Sequence, residues 1–406
     1  MRKIIPCIIG LGYVGLPIFI RLQRKFKTIG FDIDQNRIFS LNKGIDSNNE
    51  FSTQYLQKRK LSVFTNKIKD LHQCNFFIIA VPTPIFSNKK PNLNPLIVAT
   101  KLISKIIKKN DIVFYESTVY PGVTSAMISI IERISRMQSG KDFWVGYSPE
   151  RVNPGDGSKT IDKISKIVAF ESFPLEIKTK VLQVYSTVTS QLVLSKSLKE
   201  AETSKVIENV QRDINIAFMN EILMICEKLK INFFEVLRLA KTKWNFLDFK
   251  PGLVGGHCLP VDPYYLHDLA KKNNFDAKLI LAGRNTNNEM ENFVIKKINQ
   301  KIKEGIKVNT ILLAGISFKK NVSDIRNSLS LSIYNKLKRK KSIRVFAVDP
   351  RVKNTNKINL INFQKFKPEK YGLIVYLVNH DELHKSLKKI KKKYENKILD
   401  VFNYLQ

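Results

Sequence analysis

The sequence predicts an α/β protein: two Rossmann-like, doubly wound parallel-sheet domains joined by a central helical domain with a long helix. Three observations carry that expectation. Short β-branched runs alternate with helix-length stretches through the first half, and strands joined by helical crossovers pair in parallel. One long amphipathic stretch then covers residues 199–229. A second strand–helix alternation follows residue 303. In order, the first strands are expected at residues 3–9, 28–31, 76–81, 112–116 and 143–147. Helices follow at 199–229, 233–240 and 277–303, then strands at 310–314, 344–348 and 372–377. Between the helices, Phe249-Lys250-Pro251-Gly252-Leu253-Val254-Gly255-Gly256 is too rich in Gly and Pro for regular structure. The implied domains are residues 1–198, 199–295 and 296–406. No short internal repeat is visible, and the Lys-rich run at 388–393 reads as a solvated helix face.

Composition sets the class of molecule. With 406 residues, 43% hydrophobic and 26% charged, the chain is an ordinary globular protein of several domains, neither collagen-like nor mostly disordered. Its 69 Lys and Arg against 35 Asp and Glu give a net charge of +34, which invites a nucleic-acid reading. Only 15 of the basic residues are arginines, however, and the 54 lysines are scattered. No recognition helix, zinc motif or aromatic RNA-binding motif accompanies them, so no specific nucleic-acid partner is expected. Four widely spaced cysteines suit a reducing cytoplasm and build neither a disulfide scaffold nor a zinc knuckle. Arg2-Lys3 before an apolar stretch at 4–20 mimics a signal peptide, but Gly10, Gly12, Gly15 and Pro17 interrupt it. No segment elsewhere approaches the roughly 18 apolar residues of a spanning helix. A cytoplasmic protein without a membrane partner is expected.

Gly10-Leu11-Gly12-Tyr13-Val14-Gly15 lies between an expected strand and an expected helix. The first glycine permits the tight turn, the second lets backbone approach a pyrophosphate, and the third lets helix pack on strand. The next strand ends at Phe31-Asp32, where a carboxylate can accept from a ribose 2′-OH, favouring NAD over NADP. Val81-Pro82-Thr83-Pro84 and Glu116-Ser117-Thr118 end two further strands and place small polar groups at the same sheet edge. On the long helix Glu202, Lys205, Asn209 and Asp213 share a face, with Val206, Val210, Ile214, Ala217 and Phe218 close by. That stripe reads equally as a solvated polar face. Mid-helix Asn209 is disfavoured by propensity, which points to a specific task.

Cys7 and Cys226 sit in apolar elements and read as inert core residues, while Cys74 has no informative setting. Cys258 follows Gly255-Gly256-His257 and precedes Asp262 by four residues. Glycines admit a substrate and neighbouring polar groups tune a thiol, so Cys258 is a candidate nucleophile. His257 reads as structural at least as readily as a base. His380 and His384 read as a surface helix start, and no metal site is expected.

These blocks resemble the UDP-glucose/GDP-mannose dehydrogenase family of nucleotide-sugar 6-dehydrogenases, in particular its UDP-N-acetylhexosamine (Vi-polysaccharide) branch. The resemblance runs almost the whole length. It includes residues 10–17, 81–84 and 116–118, Ser148-Pro149-Glu150-Arg151 with Asn153-Pro154-Gly155-Asp156, and Ala201-Glu202 through Lys205 to Asn209. Residues 243–247, 251–258, 261–265 and 281–284 and Asp324-Ile325-Arg326-Asn327-Ser328 complete it. The resemblance implies oxidation of a sugar C6 alcohol to a carboxylate with two NAD⁺, through a thiohemiacetal and a thioester on Cys258. It gives Lys205 the oxyanion, Asn209 the orientation of that oxygen, and Asp262 a base water, with Thr118 and Glu150 serving water or proton traffic. The implied cofactor set is Gly10, Gly12, Tyr13, Val14, Gly15, Asp32, Arg37, Pro82, Thr83, Ser117, Thr118 and Arg326. The implied substrate set is Glu150, Arg151, Lys205, Asn209, Phe249, Gly252, Gly255 and Lys319. A UDP-sugar held by the C-terminal domain and a homodimer or higher homo-oligomer through the middle helix are the implied partners.

Val261 stands where the UDP-glucose branch usually carries Lys, and His257 where it usually has a small residue; both argue against UDP-glucose. Leu259-Pro260 after the cysteine, Ser125-Ala126 and Ala169-Phe170 are atypical of the hexosamine branch. UDP-GlcNAc or UDP-GalNAc is therefore the expected substrate, with UDP-glucose or UDP-ManNAc as alternatives. A two-electron hydroxyacid dehydrogenase is the rival chemistry, and it would have no need of Cys258.

Overall fold

A computed structural model describes residues 3–48, 50–57, 61–86, 88–151, 161–304, 309–340, 342–353 and 358–405. The expected family block Asn153 to Asp156 lies outside the described residues. The chain forms two compact units, Met1–Glu208 with Tyr264–Asn273, and Asn209–Pro263 with Asn274–Gln406.

The first unit holds strands β1 (Pro6–Ile9), β2 (Ile29–Phe31), β3 (Val63–Thr65), β4 (Phe76–Ile79), β5 (Ile112–Tyr115), β6 (Trp144–Tyr147), β7 (Lys166–Phe170) and β8 (Leu192–Ser195). They form one sheet in the order β3-β2-β1-β4-β5-β6-β7-β8. Only β6 and β7 pair antiparallel. Crossover helices are α1 (Gly15–Leu22), α2 (Gln35–Asn42), α3 (Thr53–Gln57), α4 (Asn94–Ser104), α5 (Val123–Ser135) and α6 (Leu175–Val188). The apolar runs of β1, β4 and β5 are buried throughout because helices cover both sheet faces. Their two-residue period divides the core into two layers. Cys7, Ile9, Phe77, Ile79, Val113 and Tyr115 face one, while Ile8, Phe76, Ile78, Ile112 and Phe114 face the other. Cys74, silent in the sequence, is buried and hydrogen-bonded to Cys7.

Helix α7 (Leu198–Leu229) leads to α8 (Phe233–Ala240), α9 (Asp262–Lys272) and α10 (Lys278–Lys303). The second unit then builds β9 (Thr310–Ala314), α11 (Leu329–Lys338), β10 (Arg344–Val348), β11 (Leu360–Ile361), β12 (Leu373–Tyr376), α12 (Asp381–Tyr394) and β13 (Ile398–Asp400). Its sheet is wholly parallel in the order β11-β10-β9-β12-β13. Met219, Leu223 and Cys226 of α7 and Met290, Val294 and Ile298 of α10 pack on the Ile311, Leu313, Leu373 and Val375 face of that sheet.

Two expectations change. The polar stripe of α7 is not solvated: Glu202, Lys205, Asn209 and Asp213 are all buried, whereas Phe218 is exposed. His380 does immediately precede α12, but it is fully buried rather than at the surface. Its Nδ1 accepts from the Asn321 N–H at 3.0 Å, and its Nε2 meets Ser317 Oγ at 3.0 Å and Asp349 Oδ2 at 3.1 Å. These partners replace water, which is what permits burial. The apolar stretch at 4–20 is β1 and α1 of the sheet layer. Among the described residues, no helix is long and apolar enough to cross a membrane.

Candidate active site

The glycine-rich turn is shaped by contacts that only glycine tolerates. Gly10 has φ +92° and donates its N–H to Phe31 O at 2.9 Å. A Cβ there would lie 2.6 Å from Ala80 O, and one on Gly15 would lie 1.9 Å from Gly10 O. Gly12 is different, because a Cβ would meet nothing within 4 Å. Its bareness keeps space open above the backbone, as a pyrophosphate requires. No side chain caps α1 at Val14, so the first helical N–H groups face that space uncapped. Asp32 closes the cradle: its Oδ2 accepts from Leu11 N at 2.8 Å and its Oδ1 from Asp34 N at 3.0 Å. Lone pairs remain on each oxygen for a ribose hydroxyl. The residues therefore fit a dinucleotide.

Arg37, expected at the cofactor, is buried and braces this turn. Its Nε donates to Leu11 O at 2.9 Å, and its Nη1 to Asp46 Oδ1 at 2.7 Å and Ser47 Oγ at 2.8 Å. The loops after β4 and β5 are laced together. Thr83 Oγ1 donates to Thr118 O at 2.6 Å and Ser117 Oγ to Val81 O at 2.7 Å. Tyr265 OH donates to the Thr83 and Pro84 carbonyls. Pro82 is exposed on these turns, and Tyr13 is half-buried in the glycine-rich turn.

Past β6, Glu150 Oε1 accepts from Arg151 N at 2.7 Å, and Arg151 pairs with Glu208 at 2.7 Å. Behind them lies a charge cluster the sequence reading did not find. Lys166 Nζ sits 2.6 Å from Glu116 Oε2 and 3.5 Å from Glu150 Oε2, and Tyr185 OH donates to Glu116 Oε1 at 2.9 Å. A lysine opening an apolar strand, Lys166-Ile167-Val168-Ala169, was the available signal.

Glu202, Asn209 and Asp213 of the α7 stripe each have a partner. Glu202 accepts from Gly122 N at 2.6 Å and Thr124 N at 2.8 Å, satisfying the start of α5. Lys205 and Asn209 follow one and two turns on. Asn209 Nδ2 donates to Asp262 Oδ2 at 2.5 Å, and both residues are buried. Asp213 takes Arg284 Nη1 at 2.5 Å and Asn287 Nδ2 at 2.7 Å. Asn287 in turn accepts from Asn220, whose amide group grips both backbone groups of Gly252, at 2.8 and 3.1 Å.

That grip begins the cysteine-bearing segment. Phe249 is half-buried at the edge of the second-unit core, and Val254 is buried. A Cβ on Gly255 would stand 2.7 Å from Asn327 O, and Gly256, at φ +90°, lies against the Phe318 ring. Asn327 Nδ2 donates to Gly256 O at 3.0 Å, and His257 Nε2 lies 3.1 Å from Asp324 Oδ2. His257 is thus tied to an acid. Arg326 grips the same carboxylate at 2.6 Å, while Lys319 Nζ lies over the Phe318 ring. Cys258 is exposed, and its carbonyl accepts from Asp262 N at 2.9 Å as α9 begins. Among the described residues, no group of three or more His, Cys, Asp or Glu could hold a metal.

A carboxylate placed for a ribose 2′-OH, at the end of the second strand of a sheet with this order, marks an NAD-binding oxidoreductase. Comparison with known proteins makes the class particular. Residues 3–189, 199–289 and 312–406 match, in turn, the NAD binding, central and UDP binding domains of the UDP-glucose/GDP-mannose dehydrogenase family. The chain belongs to that family and is a nucleotide-sugar dehydrogenase. Protein CapL of Staphylococcus aureus is 45% identical over 336 residues, 82% of this chain and 78% of CapL. The UDP-N-acetyl-D-glucosamine 6-dehydrogenase of Salmonella typhi is 41% identical over 383 residues, 92% of this chain and 89% of that protein. The structure of the UDP-D-ManNAc dehydrogenase from Pyrococcus horikoshii superposes with a TM-score of 0.87 at 27% identity, covering 99% of this chain and 96% of that one.

Proposed function

We propose that this protein oxidises the C6 hydroxyl of a UDP-N-acetylhexosamine, UDP-GlcNAc or UDP-GalNAc, to the uronic acid for surface polysaccharide synthesis. The observation that carries the reading is Cys258, exposed and next to the buried Asn209–Asp262 pair in an NAD-binding oxidoreductase. A two-electron dehydrogenase has no use for a thiol there, whereas a four-electron one must retain its aldehyde. The 41% identity to the Salmonella typhi enzyme supports the hexosamine.

Bound NAD⁺ supplies the hydride acceptor, twice per product. Gly10, Gly12, Val14, Gly15 and Asp32 hold it, with Pro82, Thr83, Ser117 and Thr118 on the adjoining loops. Lys205 stabilises the C6 oxyanion as it forms, and Asn209 orients that oxygen. The aldehyde carbon then bonds to Cys258 Sγ as a thiohemiacetal, and a second oxidation leaves a thioester. Water adds to the thioester carbon, the C–S bond breaks, and the thiolate of Cys258 departs. Asp262, Thr118 and Glu150 manage that water and its proton. Arg151, Phe249, Gly252, Gly255 and Lys319 hold the UDP-sugar, and Arg326 reaches the cofactor. We further propose domains at 1–198, 199–295 and 296–406, a cytoplasmic homodimer or higher homo-oligomer, and no specific nucleic-acid partner.

Assay of NADH release with UDP-GlcNAc, UDP-GalNAc, UDP-ManNAc and UDP-glucose tests the reading. Two NADH per uronate from an N-acetylhexosamine are expected; one NADH per product, or none with any UDP-sugar, sinks it. Cys258→Ala should lower uronate formation on the order of a thousandfold or more. Unchanged uronate formation would refute the covalent route.

A further inference from the structure

The buried cluster of Glu116, Lys166 and Tyr185 belongs to none of the roles above. Glu116 is 0% exposed at the end of β5, Lys166 is 2% exposed on β7, and Tyr185 is 0% exposed on α6. One ammonium serves two carboxylates, Glu116 at 2.6 Å and Glu150 at 3.5 Å, and also meets the Pro149 carbonyl at 3.4 Å. From α6, Tyr185 donates to Glu116. Just past β6, the Ser148 hydroxyl donates to Ile167 O at 2.7 Å and also acts on Tyr185. Removing three ionisable groups from water is costly, and apolar replacements of such clusters are commonly neutral or stabilising. Stability alone does not account for the cluster, and its one connection toward the expected catalytic surface is Glu150.

We propose that Glu116 is a positioning residue for the reaction: acting through Lys166, it sets the orientation of Glu150. The inference rests on the water-handling role given to Glu150 above. With Glu116 protonated, Lys166 is drawn to Glu150 alone and holds its carboxylate back. When Glu116 ionises, the ammonium is shared between two acids, and the Glu150 carboxylate is released to meet the water that attacks the thioester. In that step the water oxygen bonds to the thioester carbon, the C–S bond breaks, and the water proton passes to Glu150. Burial pushes the Glu116 carboxyl up to about 7, against the pull of Lys166. Burial opposes the charge on Lys166, but Glu116 and Glu150 prevail and raise its pKa.

The test uses Glu116→Gln, which is isosteric and neutral and keeps one acceptor oxygen, for Lys166 or for Tyr185. In the full chain with saturating NAD⁺, wild-type kcat for uronate should rise through about pH 7, while the variant lacks that limb. The variant should also be about tenfold slower above the limb, with KM for the UDP-sugar within about twofold. A variant that keeps the limb, or that changes KM instead of kcat, overturns the proposal. Tyr185→Phe removes a donor that favours ionised Glu116, so it should move the limb to higher pH; an unmoved limb counts equally against it. Infrared difference titration of the substrate-free protein provides a readout independent of activity. A protonated-carboxyl band should vanish near about pH 7 in the wild type and be missing from Glu116→Gln. If no UDP-sugar yields NADH, the proposed function fails while this titration still reports on Glu116. A wild-type band that does not titrate there overturns the inference itself.

Discussion

At the scale of single residues, the three glycines of the cofactor turn separate folding from binding. Gly15 has backbone 1.9 Å from where a Cβ would be, so Gly15→Ala should destabilise the protein by roughly 2 kcal/mol or more. Gly12 meets no protein atom, so Gly12→Ala should keep Tm within about 2 °C yet weaken NAD⁺ binding at least about tenfold. Thermal melts and titration calorimetry on the two variants measure the contrast. Asp324 shows a second residue-level effect. Burial would raise its pKa, but His257 and Arg326 prevail and hold it well below the usual carboxylate range. A folded pKa below the unfolded value contributes stability above that unfolded value, about 3.9, and loses it as pH falls through the folded one. The clamp on the cysteine segment should therefore survive mild acid, and Arg326→Ala should unfold at a higher pH in an acid titration. Glu116 has the opposite sign: its raised pKa contributes stability at low pH, which is lost as pH climbs through about 7.

At the scale of elements, α7 buries Glu202, Asn209, Asp213 and Asn220 because each meets a matched partner. Glu202→Ala would leave the Gly122 and Thr124 N–H groups unsatisfied, and should cost about 1–3 kcal/mol in denaturant unfolding. Asp213→Ala would strand Arg284 and should cost about 3–5 kcal/mol, with part recovered when Arg284→Met is added. The spacing of the stripe at residues 202–213 was plain in the sequence, but its burial was not. Periodicity says which residues share a face, and says nothing of what covers that face. Continuous apolar runs made β1, β4, β5, β9 and β12 legible, usually one to three residues too long. Strands β3, β7, β8, β11 and β13 were not named. Strands β3, β11 and β13 are short, β8 is only partly buried, and β7 begins with the buried Lys166. Gly10, Gly12, Gly15 and Asp32 could be read as a cradle because their order along the chain is their order in space. Asn220, Asn287 and Glu116 could not, since their partners lie 32 to 74 residues away.

At the scale of the whole chain, the sequence showed no repeat, yet the two sheets share a plan. Their central orders, β3-β2-β1-β4-β5 and β11-β10-β9-β12-β13, run alike. Gly10 at φ +92° and Gly315 at φ +91° follow the first strand of each sheet. Gly10 donates to Phe31 O and Gly315 to Val348 O, one residue before Asp32 and Asp349. Each acid accepts from the residue after its glycine, Leu11 or Ile316, at 2.8 Å. Ligand response should follow this division. By hydrogen exchange, NAD⁺ alone should protect the turn after β1, and UDP alone residues 315–328, each about a hundredfold at one hundred times its Kd. The acids themselves differ in what is left to offer. Asp32 holds two backbone donors, whereas Asp349 holds Ile316, Ser317, Arg351 and Val352 N–H groups and the buried His380. A carboxylate has room for about four such bonds. The second copy of the dinucleotide plan is thus stoppered by the protein's own imidazole. Self-occupancy at His380 keeps one sheet for the cofactor and frees the other to specialise on a different nucleotide.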